Sequence, residues 1–416
     1  MSHFRNPVPK AWSGPAHLLK AIFRDAFRLR YPVHEDQLVY IKSGVQWLCA
    51  AQDAFPGGGV ARSFSLKSGW RDCYPETTGY IIPTLLNCSF VFQDQKLTDR
   101  ALRMAHWLVD IQHADGGIQA GTVCESDMPP TIFNTGQVIF GWAGAYEKSK
   151  EERFHQSMLR AGRWLMAMQD EDGAWKKGKS LCTSYALNTY NTRTAWALLR
   201  VWQLSGDEQF KKSCEKNIAW SLKQQHANGW FANCCLDDND QPLLHTIAYT
   251  VRGILEVGLA LKDEAMIISA KLAADALLHK QEYAGQLAGR FQASWENTVS
   301  WTCLSANLQV ALIWLRLYEY SGEIRYLKAA RKSIRYCQGH IDLKNPSSGI
   351  RGGVQGSVPI WSPYCAYQYL NWSVKFLCDA LLLDLQLRSQ MDAHGHIFGN
   401  SWQVLPGQPG SLPYSG

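Results

Sequence analysis

Two kinds of apolar pattern alternate along the chain. In the first, apolar residues form one stripe at helical spacing. Between positions 97 and 112, Leu97, Ala101, Met104, Leu108 and Ile111 share a face, and arginine and aspartate fall between them. That pattern predicts a helix with one buried side and one wet side. The second kind, seen at 192–204 and 305–317, is apolar nearly all round. Such a helix is buried on most sides. The two kinds alternate six times along the sequence. The pattern therefore predicts twelve helices, six amphipathic and outer, six apolar and inner.

A glutamine closes each amphipathic stretch. Gln52, Gln112, Gln169, Gln225, Gln281 and Gln338 lie 60, 57, 56, 56 and 57 residues apart. Three are followed by Asp115-Gly116, Asp172-Gly173 or Asn228-Gly229, and Trp47, Trp107, Trp164 and Trp220 stand five residues before four of them. A fixed period of this kind means one supersecondary unit used repeatedly. Glycine supplies the positive φ that ends a helix, and aspartate or asparagine bonds the nearby backbone. The glutamine can tie its turn to the neighbouring repeat. These roles are structural, so no catalysis is placed on Gln112, Asp115, Gln169 or Asp172. Gly206 and Gly322 are read as caps that end two inner helices.

The tracts at 112–117, 169–175 and 225–230 resemble the Gln-Trp repeats of the terpenoid cyclase and prenyltransferase α/α-toroid superfamily. The six-hairpin count is also similar to the (α/α)6 barrels of glycoside hydrolases and polysaccharide lyases. The likeness covers roughly residues 38–388. It implies an all-α (α/α)6 toroid, a double ring of twelve helices. It also implies a cleft formed by the loops leading into the inner helices and by the first turns of those helices. The expected layout is an N-terminal segment at 1–37, a toroid domain at 38–390 and a tail at 391–416. A fold of this kind does not fix an activity.

Composition narrows the partners. The net charge is +6, from 42 basic and 36 acidic residues, with no Lys/Arg run, so no nucleic-acid partner is expected. No apolar run is long enough for a membrane span, and the first residues lack the apolar core of a secretory signal. A cytoplasmic location is the expectation. The twelve cysteines are scattered without a CxxC pair and read as small buried hydrophobes. No metal and no cofactor is expected. Residues 16–30 are basic and amphipathic. They are read as a helix packed on the domain, with weak membrane-surface contact as the second reading.

The candidate chemistry lies where the inner helices begin. The first repeat offers Trp70, Asp72, Tyr74 and Glu76. Pro75 followed by Glu76 is a helix start, so Glu76 is either a first-turn acid or a cleft carboxylate. The next two repeats offer Asp127 and Asn134, then Tyr190, Asn191 and Arg193. The fourth offers His245, Tyr249 and Arg252, and the fifth Glu296 and Trp301. The sixth offers Trp361, Asn371 and Lys375. A buried arginine without an anion is costly, so Arg193 and Arg252 either pair with a protein carboxylate or bind an acidic substrate.

An Asp-x-Asp-Asp acid motif is absent, since 237–240 reads Asp-Asp-Asn-Asp, and so is Asp-Asp-x-x-Asp. These absences lower the terpenoid reading. A carbohydrate enzyme needs two carboxylates flanking a bond. The candidate pairs are Glu76 with Glu296, Asp127 or Asp72, and Tyr74, Tyr190, Tyr249 and His245 are candidate bases for elimination or epimerisation. The expected partner is an acidic oligo- or polysaccharide. Residues 74–80 also resemble the corresponding loop in toroid proteins of bacterial exopolysaccharide biosynthesis clusters. A terpenoid enzyme and a non-catalytic glycan- or protein-binding toroid stay open.

Overall fold

Thirteen α-helices occupy the described residues, 14–124 and 128–395 of a computed structural model. Helix α1 (Gly14–Ala26) precedes six outer–inner pairs. The pairs are α2 (Gln37–Asp53) with α3 (Pro75–Phe92), α4 (Gln95–Asp110) with α5 (Ile132–Ser149), and α6 (Glu152–Met168) with α7 (Thr192–Ser205). They continue as α8 (Glu208–Leu222) with α9 (Leu244–Leu261), α10 (Glu264–Lys280) with α11 (Leu304–Ser321), and α12 (Ile324–Gln338) with α13 (Asn371–Gly395). The inner helices touch in the order α3, α5, α7, α9, α11, α13, and α13 returns to α3. The ring is thereby closed, and the fold is the expected (α/α)6 toroid.

Each inner helix leads to the next outer helix through two residues. The first takes left-handed backbone: Gln93, Lys150, Gly206, Lys262 and Gly322. An acid follows, and Asp94, Asp207 and Asp263 each accept a backbone N–H in the first turn of the helix they start. Side chains of this type satisfy donors that a helix end leaves open. Gly206 and Gly322 are caps as expected, and three longer side chains do the same work.

The glutamines tie neighbouring repeats together. Gln169 Nε2 donates to Gly173 O in its own turn and to Ser213 O on the next outer helix, both at 3.0 Å. Gln52, Gln112, Gln225 and Gln281 make the same two-carbonyl bridge to Gly58 and Arg100, Gly116 and Ser157, Gly229 and Ser269, and Gly285 and Ala329. Gly173 stands at φ +92, and a Cβ there would meet Lys216 O at 2.3 Å. Only glycine permits that turn to press against the next helix. Gln338 is the exception: it is buried, and its Nε2 has no partner among the described residues.

The long loops run from outer to inner helices, so all six gather at the end of the ring where the inner helices start. Short strands stitch some of them together. β1 (Ser63–Ser65) pairs with β2 (Gly69–Trp70) and, antiparallel, with β5 (Gln368–Leu370). β3 (Thr302–Cys303) pairs with β4 (Ser357–Val358). The first and last repeats are therefore joined at the mouth as well as in the ring. Helix α13 runs to Gly395, past the expected boundary at 390. Residues 1–13 and 396–416 lie outside the described residues.

Candidate active site

A cavity of about 110 Å³ lies at the mouth, walled by five of the six repeats. The first supplies Arg62, Tyr74, Glu76 and Tyr80, and the second Phe133. The third supplies Ser180, Cys182 and Tyr190, and the fourth Leu236, His245, Thr246 and Tyr249. Tyr364, Cys365 and Trp372 come from the sixth. The β1–β5 ladder explains why Arg62 faces the sixth repeat, since the residues beside it pair with the strand that follows Cys365. The Arg62 guanidinium lies 5.8 Å from the Tyr74 ring and 5.7 Å from the Trp372 ring.

Glu76 is the second residue of α3, behind Pro75. A helix N-terminus favours an ionised carboxyl. Burial nevertheless dominates and pushes Glu76 up to about 7, against the opposing pull of the Tyr74 hydrogen bond and the Arg62 and Arg193 charges. The group can therefore hold or release a proton near neutrality. Burial, and then the nearby Glu76 carboxyl, raise the Tyr74, Tyr190 and Tyr249 hydroxyls. They stay protonated and can donate hydrogen bonds. Burial, followed by the Arg193 charge, pushes His245 down to about 3, so its ring is neutral. Gln309 Nε2 lies 2.8 Å from His245 Nδ1, and with that amide as donor the ring proton sits on Nε2.

Beneath the cavity sits Arg193, at 1% exposure. Its Nε donates to Gln137 Oε1 at 2.6 Å, and Nη2 has no partner among the described residues. Five rings surround the guanidinium: Tyr80, Phe140, Trp196, Tyr249 and Phe376, at 5.3–6.0 Å. Contacts of this type stabilise a desolvated cation. Tyr80 and Tyr249 are also cavity walls, so a positive charge lies one side chain below the floor.

The structure brings Glu76, Tyr74, Tyr190, His245 and Tyr249 together and separates the rest. Glu296 is exposed, bonded to Gln292 and Ser294, and outside the cavity, because the fifth loop contributes nothing to the wall. The expected partnership of Glu76 and Glu296 is corrected accordingly. Trp301 covers Gly289 in that same loop. Arg252 pairs with Glu256 at 2.6 Å, and Lys375 with Asp379 at 2.5 Å. Both cations are held by an acid one helical turn on, so neither is an open anion site. Burial pulls Lys375 down to about 8 despite its partner.

Asn134 donates to Gln119 O, and Asn371 to Ala61 O and Thr77 Oγ1. These amides hold loops in place. Trp70 packs on Trp47 and Phe64 with centroids about 5 Å apart and is scaffold. Asp72, Asn191 and Trp361 do not line the cavity, and Trp361 is 39% exposed. Asp127 lies outside the described residues. The sequence pattern does not point to Arg62, Cys182 and Cys365, which stand in loops where no periodicity marks them. Among the described residues, no three His, Cys, Asp or Glu side chains converge as a metal site.

No family model matches the chain, and no curated protein matches it in sequence. Solved structures do match it in shape. An unsaturated glucuronyl hydrolase specific for heparin has a TM-score of 0.71 at 15% identity, over 86% of this chain and 99% of that one. The Bacillus sp. GL1 unsaturated glucuronyl hydrolase, responsible for glycosaminoglycan degradation, gives 0.65 at 15%, covering 83% and 96%. A Streptococcus agalactiae unsaturated glucuronyl hydrolase variant, complexed with dGlcA-GalNAc6S, gives 0.64 at 13%, covering 91% and 96%. The chain thus has the α/α-toroid fold of the six-hairpin glycosidases.

Proposed function

We propose that this protein acts on a terminal, acidic sugar of an oligosaccharide, with Glu76 as proton donor. One observation carries the reading: a carboxyl poised near neutrality by burial, the one carboxyl of the cavity wall among the described residues, stands in a small mouth cavity with Arg62 and protonated phenols. A confined cavity suits one terminal ring better than a run of polymer. Arg62 supplies the positive charge a uronate needs. The His245 Nε2–H and the Tyr190 and Tyr249 hydroxyls supply neutral donors for sugar oxygens.

Ordinary glycoside hydrolysis uses two carboxyls, and among the described residues the cavity wall holds one. One is enough for an unsaturated uronyl ring, the group named in the structural neighbours. Such a ring is an enol ether. Acid catalysis protonates its alkene carbon, water adds at the adjacent oxygen-bearing carbon, and the hemiketal opens with loss of the aglycon. Glu76 in its acid form donates the proton and, as carboxylate, regains one from the water. Elimination is the second reading, favoured by the phenols around Glu76. A terpenoid carbocation is disfavoured, because Arg62 beside it and Arg193 beneath it would repel it.

Ultraviolet absorbance of the C4=C5 double bond separates these readings. Unsaturated uronyl disaccharides should lose absorbance if the protein hydrolyses them. Intact uronate polymers should gain it if the protein eliminates. Binding without change in either would leave a glycan-binding toroid. Glu76→Gln should slow turnover by about 10²–10⁴-fold, and full activity in that variant would sink the assignment.

A further inference from the structure

Helix α1 carries an apolar stripe on the wrong side. Leu19, Phe23 and Phe27 follow one another at four-residue spacing and are 68%, 58% and 64% exposed. The Phe23 and Phe27 rings touch, with centroids 4.4 Å apart, and the exposed Leu29 follows them. The orientation is fixed by the opposite face. Arg24 and Asp25 are buried and paired with each other, and Arg24 Nη2 donates to Gln355 Oε1 at 2.5 Å. Asp25 Oδ2 accepts from Gln355 Nε2 at 2.9 Å and from Ile360 N at 2.7 Å. Burying that ion pair elsewhere would be costly, so the stripe faces outward by construction.

The charge of the first 30 residues is one-sided in sequence as well. Arg5, Lys10, Lys20, Arg24, Arg28 and Arg30 are the basic residues of the first 30 positions, and Asp25 is the only acid there. Their balance is +5, against +6 for the whole chain. Asp25 is spent on Arg24, and of the other described cations Lys20 stands 4.0 Å from Asp342 and the Arg30 guanidinium 4.7 Å from the Tyr336 ring. Large exposed apolar side chains flanked by lysine and arginine are the features of a helix that lies in a lipid interface. An acidic protein would satisfy the charges but not the apolar stripe as well as a headgroup layer over acyl chains does.

We infer that α1 docks this protein on an anionic phospholipid surface, with Leu19, Phe23 and Phe27 inserted and Lys20, Arg28 and Arg30 at the headgroups. The helix is seated on the mouth-side loop 339–370, a few residues before Tyr364 and Cys365 of the cavity wall. A docked molecule would therefore hold its cavity close to the headgroups, where a membrane-anchored oligosaccharide is presented. The docking itself does not depend on the reaction proposed for the cavity.

Co-sedimentation of the full chain with vesicles tests this. The chain should pellet with phosphatidylcholine vesicles containing phosphatidylglycerol, stay in solution with phosphatidylcholine alone, and be released by salt of about 1 M, where charges are screened within about 3 Å. The triple variant Leu19→Ser, Phe23→Ser, Phe27→Ser should keep its melting temperature and bind at least about tenfold more weakly. Lys20→Glu with Arg28→Glu and Arg30→Glu should lose binding as well. Three results would overturn the inference: no pelleting of the unaltered chain on anionic vesicles, undiminished binding by the serine variant, or a dimer in sedimentation velocity that the serine variant dissolves. The last would assign the stripe to a second copy of this chain.

Discussion

The six glutamines and the six inner-helix starts occupy equivalent places in equivalent hairpins, yet they behave in opposite ways. At the glutamines the residue is constant and the contact nearly so. Five of the six bridge their own turn to the next outer helix through two backbone carbonyls. At the second residue of each inner helix the position is constant and the residue changes: Glu76, Phe133, Arg193, His245, Ser305 and Trp372. Repetition there would serve no purpose, because a site needs different groups converging from different sides. Sameness along the ring marks scaffold, and difference at one level of it marks chemistry.

Substitutions can break that contrast, and the largest effect should come from the mouth. Glu76→Gln keeps size and a hydrogen bond to Tyr74 but removes the proton donor. The ring should fold normally by circular dichroism, while turnover falls by about 10²–10⁴-fold. A seam substitution should do the reverse. Gln169→Ala removes the donor of two backbone carbonyls and the acceptor of Ser213 Oγ. Denaturant unfolding should show a loss of about 2–3 kcal/mol, with kcat/KM unchanged where the protein stays folded.

A third effect has its sign set by Glu76. Its pKa is raised from 4.5 to about 7 in the folded protein, so the folded state holds this proton more tightly than the unfolded chain does. Stability is then undiminished below the unfolded value and declines as pH rises through the folded one. Glu76→Gln should stabilise the protein by on the order of 2 kcal/mol at about pH 8 and by nothing at about pH 4. Equal melting temperatures of the two proteins at both pH values would show that burial does not hold the proton. The smallest effect is expected at the seam that lacks its bridge. Gln338→Ala should cost less than about 1 kcal/mol, clearly less than Gln169→Ala in the same unfolding series.

The ring was legible in the sequence because it repeats. Helical periodicity gave the inner and outer helices, and the glutamine spacing gave their number. The site was only half legible. Glu76, Tyr74, Tyr190, His245 and Tyr249 stand at helix starts, which the repeat locates. Arg62, Cys182 and Cys365 sit in loops without a period, and only the strand pairing of the first and last repeats brings Arg62 to Tyr364. Glu296 shows the converse. Its residue type matches Glu76, but it stands in the loop before α11 rather than at the helix start, and that loop holds it in solvent beside Gln292. The cations carry a further signal in their spacing. Arg252 and Lys375 each have an acid four residues on, at Glu256 and Asp379, whereas Arg193 has Ala197. Residues four apart share a helix face, so the sequence itself distinguishes the two paired cations from the caged one.

The contrast rests on one claim: the mouth holds a carboxyl that keeps its proton close to neutrality. Infrared difference spectroscopy of the unaltered protein minus Glu76→Gln, followed across pH, reads that group directly and needs no substrate. The expected result is a protonated-carboxyl band that vanishes with a midpoint near 7. A midpoint near the ordinary value of 4.5 would make Glu76 a first-turn acid and leave the cavity without its proton donor.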